Sequence, residues 1–295
     1  MEWIESFPQM DDASLRALKK SIDEGFRTFT RSYGSGIEDL FRPLQYLLIQ
    51  FEWLMTNTPW LVIIVVVAGL AWAASRSLRL TIACVMALLL IGFFGMWIDT
   101  MKTVSMILVC TILAVAIGIP VGIAMSRSDR LQNVLNPVLD VMQTMPSFVY
   151  LIPVVMLLGI GRVPGLIAVV IFAVPPIIRL TNLGIRLVDK DVVEAADAYG
   201  SSGWQMLTNV QLPLALPTIM AGINQTIMMA LGMVVIAAMI GVPGLGQPVL
   251  KAISNQYFTL GVFNGLAIVG IAIIFDRVSQ AYGRRLQKHL EVAHA

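Results

Sequence analysis

Few residues in this chain have the type and spacing that covalent chemistry needs. Its two histidines, His289 and His294, both fall in the C-terminal tail, and no Cys/His set has metal-ligand spacing. Cys84 and Cys110 sit inside apolar runs, where a free thiol behaves as a small hydrophobe. The phosphate-cradling pattern G-x-x-x-x-G-K-[ST] does not occur. What remains is a polar block, Glu194 to Pro213, reading EAADAYGSSGWQMLTNVQLP between two long apolar runs. Its residue types suit mechanical contact more than bond-making. Asp189, Lys190, Asp191, Glu194 and Asp197 surround the small pair Ala195-Ala196, which would let a helix approach a partner surface closely. Gly200 and Ser201-Ser202-Gly203 would end that helix and turn the chain. A second short helix, about Trp204 to Val210, would end at Leu212-Pro213. The expected product is a helix-turn-helix lever; the alternative is an ordinary solvated loop.

The elements that must hold this block are set by composition. Hydrophobic residues make up 57% of the chain and charged residues only 13%, with a mean hydropathy of +0.80. Globular chains carry about 25% charged residues, so an ordinary soluble domain is excluded. A net charge of +2 gives no reason to expect a nucleic-acid partner. Uncharged runs predict seven spans, approximately Thr58–Ala74, Leu78–Trp97, Met101–Met125, Val138–Ile160, Val163–Leu180, Thr218–Gly241 and Leu260–Tyr282. The fifth should be broken or kinked by Pro175-Pro176, which remove two backbone donors. Such breaks survive in lipid only where protein or a water-filled cavity surrounds them, so Pro146, Pro153, Pro175 and Pro176 point to spans four and five lining an interior.

Residues 1–35 read as a flexible or loosely helical tail without a cleavable signal, since Met1 to Asp12 is acidic and lacks an apolar core. Over 36–56, Ile37, Leu40, Phe41, Leu44, Leu47, Leu48, Phe51 and Met55 recur with helical period. That predicts an amphipathic helix, lying on the membrane surface or packed on the rest of the protein. Lys and Arg cluster on the side of the polar block: Arg76, Arg79, Arg127, Arg130, Arg179, Arg186, Lys190, Arg277, Arg284, Arg285 and Lys288, against Lys102, Arg162 and Lys251 opposite. The positive-inside rule then places the block and the C-terminus in the cytoplasm and the N-terminal tail outside. The expected domains are an extracytoplasmic segment 1–57, a membrane domain 58–285 with the cytoplasmic loop at about 187–217, and a tail 286–295.

The spacing E-A-A-x3-G-x9-[IV]-x-L-P, carried here by Glu194, Ala195, Ala196, Gly200, Val210, Leu212 and Pro213, resembles the cytoplasmic coupling loop of bacterial ATP-binding-cassette importer permeases. Val210 stands where that pattern often has Ile. Further blocks resemble the glycine betaine/proline/choline branch: Asp140-Val-Met-Gln143-Thr144-Met-Pro146-Ser-Phe148-Val-Tyr150-Leu-Ile-Pro153, Phe172 through Ile185, Ala221-Gly222-Ile-Asn224-Gln225-Thr226, and Gly244-Leu245-Gly246-Gln247. The resemblance covers roughly residues 60–285. It implies an all-α type I importer transmembrane domain in the bacterial inner membrane, paired with a second copy of itself. It also implies two cytoplasmic ATPase subunits that carry ATP and Mg, none of it bound by this chain, and an extracytoplasmic binding protein delivering glycine betaine, a related betaine, proline or choline.

Gln143, Thr144, Tyr150, Asn182, Asn224, Gln225 and Thr226 are polar groups in or beside spans. Such groups line a path or hydrogen-bond neighbouring helices, and both readings stand. Trp60, Trp72 and Trp97 sit near span ends as interfacial anchors. Gly241 to Pro248 is too rich in Gly and Pro to continue span six and predicts a re-entrant segment or an external turn. The competing functional class, an ion-driven secondary transporter of small zwitterions, would usually place an ionisable group mid-span. Here Asp99, Lys102, Asp140, Arg179 and Asp276 fall near predicted span ends instead.

Overall fold

A computed structural model describes the backbone of residues 9–293. Met1–Pro8, His294 and Ala295 lie outside the described residues, as do the side chains of Ser35 and of the residues beyond Arg285, so the readings of the extreme N-terminus and of both histidines fall outside it. Among the described residues the regular elements are all helical, in the order α1 (Asp12–Asn57), α2 (Trp60–Ser75), α3 (Leu78–Phe93), α4 (Trp97–Arg127), α5 (Asp129–Thr144), α6 (Ser147–Leu158), α7 (Arg162–Arg186), α8 (Lys190–Ala198), α9 (Gly203–Ile240), α10 (Gly246–Asn255) and α11 (Phe258–Ala293).

Four helices, α4, α7, α9 and α11, are each long and apolar enough to cross a membrane. The other expected spans take different shapes. The fourth, Val138–Ile160, is not one rod: α5 and α6 meet at 98°. Met145 between them is extended, as the residue before Pro146 must be. The first, α2, follows α1 across a bend of 104°, and α3 is a shorter apolar helix. Up to six crossings result if each bent pair counts as one. α1 gathers the amphipathic stretch and most of the expected tail into one helix from Asp12, while α11 runs to Ala293 through the residues expected to form the C-terminal tail.

The fifth span corrects the expectation of a proline break. α7 runs uninterrupted from Arg162 to Arg186 with Pro175 and Pro176 inside it, both buried. Flanking helices enclose that segment, and protein surroundings let a membrane helix tolerate proline. α7 is the bundle's axis, packed chiefly against α4 and α9. Lipid gives helices little hydrophobic reason to associate, so close backbone approach must supply the attraction. Gly118 and Gly122, one turn apart on α4, provide it. A Cβ at 122 would lie 2.6 Å from Thr181 Cβ and 2.7 Å from the Ile178 carbonyl oxygen. The surroundings of Pro146 and Pro153 differ from those of the tandem pair: both are exposed in the single chain.

The two ends of the bundle are distinct. At one end α1 packs across the first turns of α4 and α7: Leu48 is buried, Ser105 Oγ donates to the Phe51 carbonyl, and Arg162 Nη2 pairs with Glu52 at 3.1 Å. The Gly/Pro-rich stretch after α9 folds into this same end. Leu245 is fully buried, and its N–H donates to Thr103 Oγ1 at 2.9 Å. The opposite end carries the polar block.

Candidate functional site

Asp189 starts the lever by accepting the Asp191 N–H at 3.0 Å, which caps α8. α8 buries no residue. Glu194, Ala195 and Gly200 are exposed, and Ala196 is half-buried. The turn forms where the small residues predicted it. Gly200 adopts φ +80, a left-handed conformation that glycine takes without steric cost, and its N–H bonds the Asp197 carbonyl. Ser202 then opens the next helix with a capping box: its Oγ accepts the Gln205 N–H at 3.3 Å and its own N–H donates to Gln205 Oε1 at 2.8 Å.

The second lever helix does not end at Leu212-Pro213, as the sequence suggests. It runs on as α9 into the membrane. Pro213 has no N–H for the Asn209 carbonyl and would crowd it. The chain answers by widening into a π turn over Met206–Gln211, where the Leu212 N–H reaches the Leu207 carbonyl. Leu207 and Ala215 are buried, and Leu212 packs beside them with Ile185 and Ile219. The motif therefore has two parts. Glu194 to Gly200 projects with no fully buried residue, its helix packing chiefly on the π turn, while Leu212 roots the motif in the bundle.

Two aromatic side chains at the tip are part of the presented surface and were not singled out from the sequence. Tyr199 is 93% exposed and Trp204 is 70% exposed, flanking the Gly200 turn. Large aromatics on an otherwise polar loop are the signal that could have found them, since such side chains anchor protein interfaces.

Arginines tie the lever's roots to the bundle. Arg186, last residue of α7, donates from Nε to Asn182 Oδ1 (3.1 Å) and from Nη2 to the Met125 carbonyl (2.9 Å), and Nη1 pairs with Asp129 (2.7 Å). Arg127 Nη2 donates to the Gly203 carbonyl at 2.8 Å. Arg179 pairs with Asp140 at 2.5 Å, so α5 meets α7 near both of its ends. A cleft of about 250 Å³ separates the lever from the ends of α4 and α7, lined by Ser126, Arg186, Lys190, Val193, Glu194 and Gln211 among others.

The residues expected on a path are not brought together. Asn182 is buried and occupied by Arg186. Asn224 Nδ2 donates to Asp276 Oδ1 at 3.0 Å while its Oδ1 accepts from Ser279, tying α9 to α11. Tyr150 is buried against Phe172, edge to face, and its hydroxyl donates to the Met142 carbonyl across the α5–α6 bend. Thr144 bonds the Asp140 carbonyl of its own helix at 3.0 Å. Gln143 and Gln225 are exposed, and Thr226 is buried with its hydroxyl unpartnered. Among the described residues no group of three or more His, Cys, Asp or Glu could hold a metal ion.

Comparison with known proteins places this geometry. The profile of the family described as "Binding-protein-dependent transport system inner membrane component" matches residues 114–288. The glycine betaine/proline betaine transport system permease protein ProW of Escherichia coli (strain K12) is 45% identical over 271 residues, 92% of this chain and 76% of that protein. The glycine betaine/carnitine transport permease protein GbuB of Listeria monocytogenes serotype 1/2a (strain 10403S) is 49% identical over 238 residues, 80% of this chain and 84% of its own length. Among solved structures, a chain of the MetNI methionine ABC transporter in an inward-facing conformation superposes with a TM-score of 0.58 at 20% identity, covering 63% of this chain and 93% of that one.

Proposed function

Because this chain belongs to the family of binding-protein-dependent transport system inner membrane components, we propose that it is the inner-membrane permease of an ATP-driven importer for betaine-type osmoprotectants. Glycine betaine is the first substrate to test, since it is common to ProW and GbuB; proline betaine and carnitine, one from each relative, come next, and choline, which the sequence resemblance adds, comes last. The observation that carries the mechanism is the lever: a helix with no fully buried residue, parted by a cleft from α4 and α7 and rooted through Leu212. In this reading Glu194, Ala195, Ala196 and Gly200 form the surface on which a separate ATPase subunit pushes, with Tyr199 and Trp204 seated in its groove. ATP and Mg belong to that subunit. Two copies of the chain enclose the path, and an extracytoplasmic binding protein delivers substrate to the end opposite the lever.

In this reading exposed Gln143, Thr144 and Gln225 contribute to the path, and Tyr150, Asn182 and Asn224, bonded to Met142, Arg186 and Asp276, hold neighbouring segments in place. Labelled glycine betaine uptake into vesicles holding the chain with its ATPase and binding protein tests the proposal. Uptake that requires ATP and both partners supports it. Uptake by the chain alone on an ion gradient overturns it in favour of a secondary transporter.

A further inference from the structure

The lever's isolation raises the question of how a push on it reaches the bundle. α8 has no buried residue, and a cleft of about 250 Å³ lies between it and the ends of α4 and α7. α8 packs chiefly on the π turn Met206–Gln211 at the start of α9, while the cleft parts it from α4 and α7, so its own packing carries force into the second root alone. Force reaches the bundle through the two roots of the loop, and each root is held by an arginine.

We propose that Arg186, assisted by Arg127, is the positioning residue that delivers lever movement to the corner between α4 and α5. This rests on reading residues 187–217 as the coupling loop. At the first root the Arg186 guanidinium joins three segments at once: Asn182 on α7, the Met125 carbonyl in the last turn of α4, and Asp129 in the first turn of α5. At the second root Arg127 grips the Gly203 carbonyl where α9 begins. The Arg179–Asp140 pair ties α5 to α7 again, so α5 follows α7 as a rod. At its far end α5 turns through 98° into α6, and the Tyr150 hydroxyl spans that turn to Met142. Movement of the α7 end thus swings α5 and reorients α6.

The planar guanidinium suits this role because its donors are fixed relative to one another, so it holds angles as well as distances. Stability is a poor explanation for its ion pair with Asp129, as distinct from its bonds to buried Asn182 and Met125. The Arg186 side chain is 31% exposed and that of Asp129 82%, and exposed pairs contribute only about 0–1 kcal/mol. Arg186→Gln should fold.

The test uses the complete importer in proteoliposomes, measuring ATP hydrolysis, glycine betaine uptake and ATPase-subunit stoichiometry for Arg186→Gln, Arg186→Lys, Asp129→Asn and Glu194→Lys. Arg186→Gln should retain the ATPase subunit and hydrolyse ATP, yet its uptake per ATP should fall about tenfold or more, within the usual size of coupling between distant sites. Arg186→Lys, with one point charge, should recover part of the loss. Asp129→Asn should move the ratio the same way by less, and it decides the matter if Arg186→Gln does not accumulate in the membrane. Normal uptake per ATP in Arg186→Gln beside an uncoupled Glu194→Lys overturns the proposal alone, as does loss of the ATPase subunit from Arg186→Gln. Normal coupling in both overturns the loop reading beneath it.

Discussion

Replacing Gly122 by alanine should loosen the α4–α7 crossing that makes those helices one body. The added Cβ would fall 2.6 Å from Thr181 Cβ and 2.7 Å from the Ile178 carbonyl oxygen. The second contact is with backbone and cannot be relieved by a rotamer change, so the helices must part. Overpacking of this kind costs about 1–3 kcal/mol, and two contacts this short argue for the upper half of that range. Against it stands the gain of about 1 kcal/mol from alanine over glycine within a helix. The net expectation is a loss of about 1–2 kcal/mol. Gly232, on α9 with nothing within 4 Å of its Cβ position, is the control and should be neutral or gain. Gly118 lies between them: its Cβ would meet Ile177 Cγ2 at 2.3 Å, but that methyl ends a rotatable side chain. Thermal unfolding of the purified permease, followed by tryptophan fluorescence, reads the order. Each kcal/mol should move the midpoint by about 2–4 °C, with Gly122→Ala lowest and Gly232→Ala at or above wild type. Equal midpoints for Gly122→Ala and Gly232→Ala would refute the claim that close backbone approach holds these helices together.

Two further outcomes are expected. Glu52→Gln removes the carboxylate that pairs with Arg162, whose side chain is 39% exposed against 13% for Glu52. The cost should be roughly 1–3 kcal/mol, below that of breaking a fully buried pair, visible as a lower unfolding midpoint with uptake per ATP unchanged. If α1 lies outside, as the positive-inside rule leads one to expect, Ser14→Cys should react with an impermeant thiol reagent added outside intact cells. The native thiols Cys84 and Cys110 are buried and leave little background, so labelling only after lysis would invert the assigned orientation.

The lever shows how far the residues alone carry the argument. Its start at Asp189, its small-residue face and its turn at Gly200 all follow from local chemistry: a side chain that caps, a residue free to take positive φ, and two residues without bulk. The bend between α5 and α6 was also open to local reading, since Pro146 forces Met145 out of helical conformation, yet hydropathy averages across it and reports one span. Pro175 and Pro176 misled in the other direction. Their local effect is to break a helix, but neighbours on several sides hold α7 together.

The bonds of Arg186 lay beyond sequence reading altogether. Met125 and Asp129 stand far from it along the chain, and only the packing of α4 on α7 brings them within reach. The same holds for Asn224, whose amide looked available for a path until α11 supplied Asp276 and Ser279. By itself the sequence determined that this chain is helical, belongs in a membrane, lacks the phosphate-cradling loop and presents a polar lever between apolar spans, because composition, period and turn chemistry act over a few residues. Tertiary structure decided which proline breaks its helix, which polar groups are already taken and how the lever is tied to the bundle. Those outcomes depend on which helices touch, and hydropathy in a bilayer is nearly indifferent to that choice.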